Sequence, residues 1–499
     1  LVSAAAGSGK TKVLVDRLFL YITQDRCNVD DFLIITYTKA AAAELRGKIM
    51  DELNARLANK PGDAFLRRQK LVIYRSQIST IHSFCTALLR EEGYRIDLQT
   101  DFRVGDDSEC AILQDRTINR LLEERYEQLE QAPGFAALVD TLSAGRDDSR
   151  LASIVLDIHA RIQSHPAPRR WLADQAAAFD LRSVKDVGNT AWGRLLMEEA
   201  RRQVSYWQRC FVEALDLLRE DPVLEKAYSE SFDTTLDSMD DFLAALDRGW
   251  DSARALCQIE FPKLGQARKV EDKALQERVK AIREKCKKRL AKLQELFSDS
   301  SAGLLEDMEC VRPVVEELLG LVADFDDAYS WEKRRRNLVD FADLEHLTLQ
   351  LLTGEDGQAS PLARQWQEHF AEIMVDEYQD TNEVQNAIFR SISDGGRRLF
   401  QVGDVKQSIY RFRLADPTIF LGKYLSFEDR AQARPGEPRR VVLSYNFRSR
   451  ASVLEGVNFV FENIMSTAFG ELDYTDDQRL YPKLPYPEQP DDVVELDVV

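Results

Sequence analysis

Eight residues near the start of the chain constrain its fold more than any other feature. Ala4-Ala5-Ala6-Gly7-Ser8-Gly9-Lys10-Thr11 follows a short apolar segment that reads as the end of a strand. It opens a helix with Val13, Leu14, Leu18 and Ile22 along one side. Strand, glycine-bearing turn, helix is the local context of a phosphate-binding loop. Small residues let successive backbone N–H groups wrap phosphate oxygens, and the helix start adds a favourable dipole. In this reading Lys10 reaches the β and γ phosphates of ATP and Thr11 ligates Mg²⁺. The strict pattern begins with glycine, where this chain has Ala4. The bland alternative is a Gly-Ser turn ahead of a helix. The expected fold class is α/β, with a parallel sheet around the loop.

The rest of the chain can supply such a sheet. Residues 32–36 form a short apolar run, read as a buried parallel strand. Residues 40–57 are rich in Ala, Leu, Glu and Arg and read as a helix. Residues 78–81 read as a further strand, with a helix starting near His82. Between 96 and 335 long amphipathic stretches dominate and strand-like runs are scarce. Leu275, Val279, Ile282, Cys286, Leu290, Leu293 and Phe297 recur every three or four residues, a helical apolar stripe. The α/β pattern returns from 336, with apolar runs at 373–375, 399–402 and 441–444. The division expected is a discontinuous motor domain at 1–95 and 336–435, a helical insertion at 96–335, a linker near 430–440 and the start of a second motor domain at 441–499. Residues 482–490 read as a proline-rich, irregular tail.

Two further motifs belong with a phosphate loop. Val375-Asp376-Glu377-Tyr378-Gln379-Asp380 closes an apolar strand. Adjacent carboxylates at a strand end divide labour well: Asp376 to hold Mg²⁺, Glu377 to orient and deprotonate the attacking water. Val402 to Arg413 interleaves arginines with aromatics. Bases would stack on Tyr410 and Phe412, Arg411 or Arg413 would take phosphate, and Gln407 would sense the γ-phosphate. Tyr37-Thr38-Lys39 and the segment around His82 each leave a strand and enter a helix, offering hydroxyls, rings and a cation to a DNA strand. Arg448 in Leu443-Ser444-Tyr445-Asn446-Phe447-Arg448-Ser449 reads as an arginine finger from a second domain. Read singly, the early motifs are also ordinary packing.

Composition narrows the class. Net charge is 67 − 85 = −18, which disfavours non-specific coating of nucleic acid. The charge is uneven: residues 1–95 carry 15 Lys/Arg against 10 Asp/Glu, and residues 263–292 carry 12 against 4. The basic 263–292 stretch reads equally as a DNA-facing surface or a solvated face. None of the seven cysteines forms a C-x-x-C pair, and only five histidines occur. Structural zinc and a disulfide framework are disfavoured, which fits a reducing cytoplasm. No apolar run is long enough to span a membrane.

The ordered set AGSGKT, TYTKAAAAEL, TIHSFC, DFADL, VDEYQDTN, VGDVKQSIYRFR and LSYNFRS resembles the UvrD/Rep-like superfamily 1 DNA helicases. The wording of the later motifs, with FRLADP after them, is most similar to the AddA group, helicase–nuclease subunits of a bacterial double-strand-break repair complex. The resemblance implies a RecA-like P-loop motor with a large helical insertion and the start of a second RecA-like domain. It implies movement 3′ to 5′ on single-stranded DNA driven by ATP and Mg²⁺, action at duplex DNA ends, and an AddB-like second subunit. By position in the motifs, Lys10, Thr11, Asp376 and Glu377 match the ATPase residues. Gln407 matches the residue coupling γ-phosphate to DNA, Arg448 the arginine across the cleft and Phe447 the ring stacking on adenine. Tyr37, His82, Tyr410, Phe412 and Arg413 match DNA contacts. The family's upstream glutamine motif, its later motor motifs and the AddA nuclease domain are absent here, so the chain reads as a fragment. A stand-alone UvrD-like or RecB-like helicase, or a nucleotide-gated DNA-binding module without hydrolysis, are the competing readings.

Overall fold

The computed structural model describes residues 1–142, 149–268, 270–354 and 357–486. The described residues pack as two units, one of residues 1–128, 149–171 and 321–486, the other of residues 129–142 and 172–320.

The first unit is built on a seven-stranded parallel sheet. Its strands are β1 (Val2–Ala4), β2 (Phe32–Thr36), β3 (Gln77–Thr80), β4 (Glu372–Val375), β5 (Leu399–Gly403), β6 (Glu428–Asp429) and β7 (Arg439–Leu443). In space the order is β3-β2-β4-β5-β1-β7-β6. β2 and β4 are buried along their whole length, so they read as continuous apolar runs and lack the alternation of a half-exposed sheet. Register is tight across the centre: Ile35 faces Val375, and Val2 faces both Val402 and Val441.

Helices cover both faces. α1 (Lys10–Leu20) and α2 (Lys39–Asn59) bury Leu14, Leu18, Leu45 and Ile49 in one core layer with Phe32 and Ile34. α3 (Ile81–Glu92), α4 (Phe341–Leu352) and α5 (Glu383–Ile392) share a second layer with Leu33, Ile373 and Val375. Alternate residues of one strand therefore serve opposite layers, as a two-sided sheet requires.

The second unit is helical. Its long helices Ala191–Leu218, Pro222–Leu246 and Lys273–Leu290 start at Thr190, Asp221 and Asp272, whose side chains accept N–H groups of the first turn. Its core holds Phe211, Phe232, Phe242, Trp250 and Phe297. The apolar stripe at 275–297 faces this core, although the helix breaks after Leu290 and resumes at Lys292–Leu296.

Two sequence boundaries move. Residues 96–128, 149–171 and 321–335, read as part of the insertion, pack with the sheet-bearing unit. Amphipathic periodicity shows that a helix has an apolar face, not which core receives it. The start of a second motor domain, expected at 441–499, is also corrected. Arg439–Leu443 is a strand of the first sheet, paired with β1, and the expected linker is the loop between β6 and β7. β1 needs a partner on its second side, and the apolar run Val441–Leu443 supplies it. The tail beyond Tyr486 lies outside the described residues.

Candidate functional site at the carboxyl ends of the strands

Every singled-out motif sits just past the carboxyl end of a strand in the parallel sheet. This is where α/β sheets place ligands, because loops there are free of the pairing ladder. The phosphate loop follows β1, Tyr37 follows β2, His82 follows β3, Asp376 and Glu377 follow β4, Gln407 follows β5 and Arg448 follows β7.

The loop at 4–11 is shaped for an anion. Ala4 is the last residue of β1 and is fully buried, so its methyl group is core and no glycine is needed there. Gly7 and Gly9 have φ of +70° and +89°, a region glycine enters without penalty. Gly9 caps α1 without any side-chain hydrogen bond, and the first turn carries no acidic residue. The helix start thus keeps its N–H groups and its dipole for an outside anion. The Ser8 hydroxyl is buried and has no hydrogen-bond partner among the described residues. Free N–H groups, an orphaned hydroxyl and Lys10 at the helix start fit a nucleotide's phosphates, and Thr11 beside them fits Mg²⁺.

Lys10 joins three motifs. Its Nζ donates to Glu377 Oε2 at 2.5 Å and to Gln407 Oε1 at 3.4 Å. Gln407 Nε2 donates to Asp404 Oδ2 at 2.7 Å, and Lys406 Nζ lies 3.0 Å from Asp404 Oδ1. The buried Gln379 closes the circuit: its Nε2 donates to Glu377 Oε2 at 2.9 Å while its Oε1 accepts from Asp404 N at 3.0 Å. Glu377 itself has φ of +50°, a strained conformation for a side-chain-bearing residue, at the point where the acidic pair must face the loop. Burial and the neighbouring Glu377 push the Asp376 carboxyl up to about 6. Asp380 is pushed up to about 6 by the same two causes. A divalent cation beside Asp376 would offset that penalty.

The segment after β7 clasps the phosphate loop. Asn446 Nδ2 donates to Ala6 O at 2.7 Å, and Phe447 N donates to Gly7 O at 2.9 Å. Asn446 Oδ1 in turn accepts from Arg448 N and Ser449 N, each at 2.8 Å. Arg448 and Phe447 are exposed beside the loop, held by backbone and not by their own side chains. Arg448 therefore comes from the same sheet as Lys10, and not from a second domain as its motif suggests.

The expected DNA contacts separate into a surface group and a cavity group. Tyr37 stacks on Tyr410 with ring centroids 4.8 Å apart. Arg413 lies 5.3 Å from the Tyr410 ring and 5.7 Å from that of Phe412, which is 75% exposed. Arg411 turns away to an ion pair with Glu471. Thr38 spends its hydroxyl as the cap of α2, accepting from Ala41 N, and Lys39 is exposed at the helix start. His82 lines a cavity of about 670 Å³ that runs from Asp376 and Glu377 past Phe341 to Arg413. Sequence reasoning gave no role to Gln379, Asp404, Asn446 or Glu345. The first three stand inside quoted motifs, so their positions were visible but their bonding was not.

Residues 1–428 match the UvrD/REP helicase N-terminal domain. The chain belongs to the UvrD/REP helicases. This UvrD/REP chain is 41% identical over 491 residues to the ATP-dependent helicase/nuclease AddA protein of Desulforudis audaxviator (strain MP104C), covering 95% of this chain and 39% of that protein. It is 39% identical over 492 residues to the protein of that name from Clostridium novyi (strain NT), covering 96% and 39% respectively. The Geobacillus thermodenitrificans (strain NG80-2) protein is 38% identical over 513 residues, covering 100% and 41%. The chain thus spans about two fifths of the length of these relatives. Among the described residues, no helix is long and apolar enough to cross a membrane.

Proposed function

We propose that this chain is the ATP-binding motor part of an AddA-type DNA helicase, which hydrolyses ATP to move 3′ to 5′ along single-stranded DNA in double-strand-break repair. One observation carries the reading. The segment 404–413 holds Gln407, bonded to Lys10 of the phosphate loop, and also Tyr410, Phe412 and Arg413, an exposed shelf of two rings and a cation. A group at the γ-phosphate and a platform for bases therefore share one ten-residue stretch.

In this reading Lys10 exchanges Glu377 for the β and γ phosphates of ATP. Glu377, released, accepts a proton from the attacking water, and Gln379 holds its carboxylate in line. Thr11 and Asp376 would hold Mg²⁺, which neutralises phosphate charge. Phe447 packs on adenine and Arg448 offsets charge on the γ-phosphate. Gln407 releases or regains Lys10 as the phosphate comes and goes, and the Tyr410–Arg413 shelf moves with it. Duplex ends would be the substrate, an AddB-like protein the partner and the cytoplasm the location. The acidic pair and Gln407 argue against a nucleotide-gated module that does not hydrolyse.

The test measures ATP hydrolysis by the whole protein with and without oligo-dT, and unwinding of duplexes with a 3′ or a 5′ tail. DNA-stimulated turnover and unwinding from the 3′ tail alone are expected. Equal hydrolysis with and without DNA would overturn the reading.

A further inference from the structure

Glu345 on α4 is a carboxylate buried to 4% exposure, placed between the proposed DNA path and the acidic segment. Its Oε1 lies 3.0 Å from His82 Nε2 and accepts from Gln385 Nε2 at 2.7 Å. Its Oε2 accepts from Asn382 Nδ2 at 3.1 Å. Burying a charge here is costly, and packing alone would be served better by an apolar side chain. Burial opposes its ionisation, but donation from His82, Gln385 and Asn382 holds it below the usual carboxylate range.

The three donors come from two sides. His82 begins α3, is 37% exposed and stands on the cavity wall with its ring edge-on to Phe341. With Nε2 turned to Glu345, the other ring nitrogen is the one left for a ligand. Asn382 caps α5, its Oδ1 accepting from Gln385 N at 2.8 Å, and it stands two residues after Asp380. Between them Thr381 O accepts from Asp416 N, which ties this point to the chain just past Arg413. Because Oε1 serves His82 and Gln385 together, a shift of the imidazole must be answered by the amides at the head of α5.

We propose that Glu345 is a positioning residue that sets the orientation of His82 toward the DNA strand and, through Asn382 and Gln385, transmits the strand's presence to the catalytic segment 376–380. The proposal rests on His82 facing DNA, as in the function proposed above. Glu345→Gln keeps the shape but replaces an acceptor with a donor, which leaves one of the three donors facing N–H.

The whole protein is assayed for ATP turnover without DNA and at saturating oligo-dT, for oligo-dT binding by anisotropy, and for melting temperature. Glu345→Gln is expected to lower the DNA-free rate less than threefold and the DNA-stimulated rate at least tenfold. Added to His82→Ala it should cost no more, whereas added to Phe412→Ala the losses should multiply. Wild-type stimulation in Glu345→Gln, or losses that multiply with His82→Ala, would overturn the proposal. So would a melt below the assay temperature in both Glu345→Gln and Glu345→Asp, which makes the group structural. If His82→Ala binds and responds to DNA normally while the parent is DNA-stimulated, this inference fails and the helicase reading stands. If the parent itself shows no stimulation, the helicase reading fails first.

Discussion

Asn446 is the side chain on which the position of Arg448 depends, and replacing it tests that dependence directly. Asn446→Ala removes three hydrogen bonds, one to Ala6 O and two from Arg448 N and Ser449 N. At about 1 kcal/mol net for each, the loss would reach ~3 kcal/mol. Ala6 is exposed and its carbonyl regains water, so about 2 kcal/mol is the better figure. The clasp would not fall away, because Phe447 N still donates to Gly7 O and Ala5 N to Leu443 O. Removing a preorganised charge-stabilising group outright costs roughly 10²–10³ in rate. Loosening Arg448 while keeping its backbone tethers should cost about 10–100-fold in single-turnover hydrolysis, with ATP affinity changed little. Asn446→Asp should keep the two acceptor bonds, lose the bond to Ala6 O and raise the KM for ATP, since its charge lies against the phosphate loop. The assay is single-turnover hydrolysis with a urea melt beside it. In an Arg448→Ala background Asn446→Ala should add almost nothing to the kinetic defect. Normal turnover in Asn446→Ala, or a defect fully additive to that of Arg448→Ala, would refute the argument.

Three further outcomes follow from the site. Glu377→Gln should bind ATP and DNA yet hydrolyse about 10²–10⁴-fold more slowly, as loss of a general base requires; a variant with weak ATP binding and normal turnover would show Glu377 to be a binding group. Tyr410→Ala with Phe412→Ala should weaken oligo-dT binding by roughly 2–6 kcal/mol if each ring stacks one base, with little change in melting because Phe412 is 75% exposed; a melting drop of ten degrees or more would place the rings in the core. Asp376 has a raised pKa in the fold, about 6, so the folded state holds its proton more tightly than the unfolded chain does. Stability contributed by this group is therefore present below about pH 4 and lost as pH rises to about 6, by up to ~2 kcal/mol. Urea midpoints at pH 4.5 and 7 in the parent and in Asp376→Asn check this, and a pH response unchanged by the substitution would sink it.

The site was legible in the sequence where chemistry and local geometry coincide. The strand–turn–helix at 1–20 and the acidic pair after β4 could be placed because a phosphate loop permits few neighbours. The strands at 32–36, 77–80 and 372–375 could be seen because parallel strands are short apolar runs. What stayed hidden depends on long-range pairing. Nothing local in Val441–Leu443 says that its partner is Val2–Ala4, so a strand of the first sheet reads as the start of another domain. The bonds of Gln379, Glu345 and Asn446 were hidden for the same reason: an amide or carboxylate reveals its partner only when distant strands are brought together. Tyr37 on Tyr410 is a further case, two rings from motifs far apart in the chain that meet at one surface.

The strand order has a consequence for how the chain reaches this state. β1 lies inside the sheet, and its two neighbours are β5 and β7, with Val2 facing Val402 and Val441. The ribosome therefore delivers the phosphate loop long before either strand that flanks it. At about 5–20 residues per second, β1 waits roughly 20–80 s with both edges unpaired. Loop closure of that length also slows pairing once the partners exist. Meanwhile the helical unit, whose contacts are more local, is made and can fold by itself. Nascent chains stalled before residue 399 should thus be the species that chaperones bind and proteases cut within the first sixty residues, and stalling past 443 should end that sensitivity.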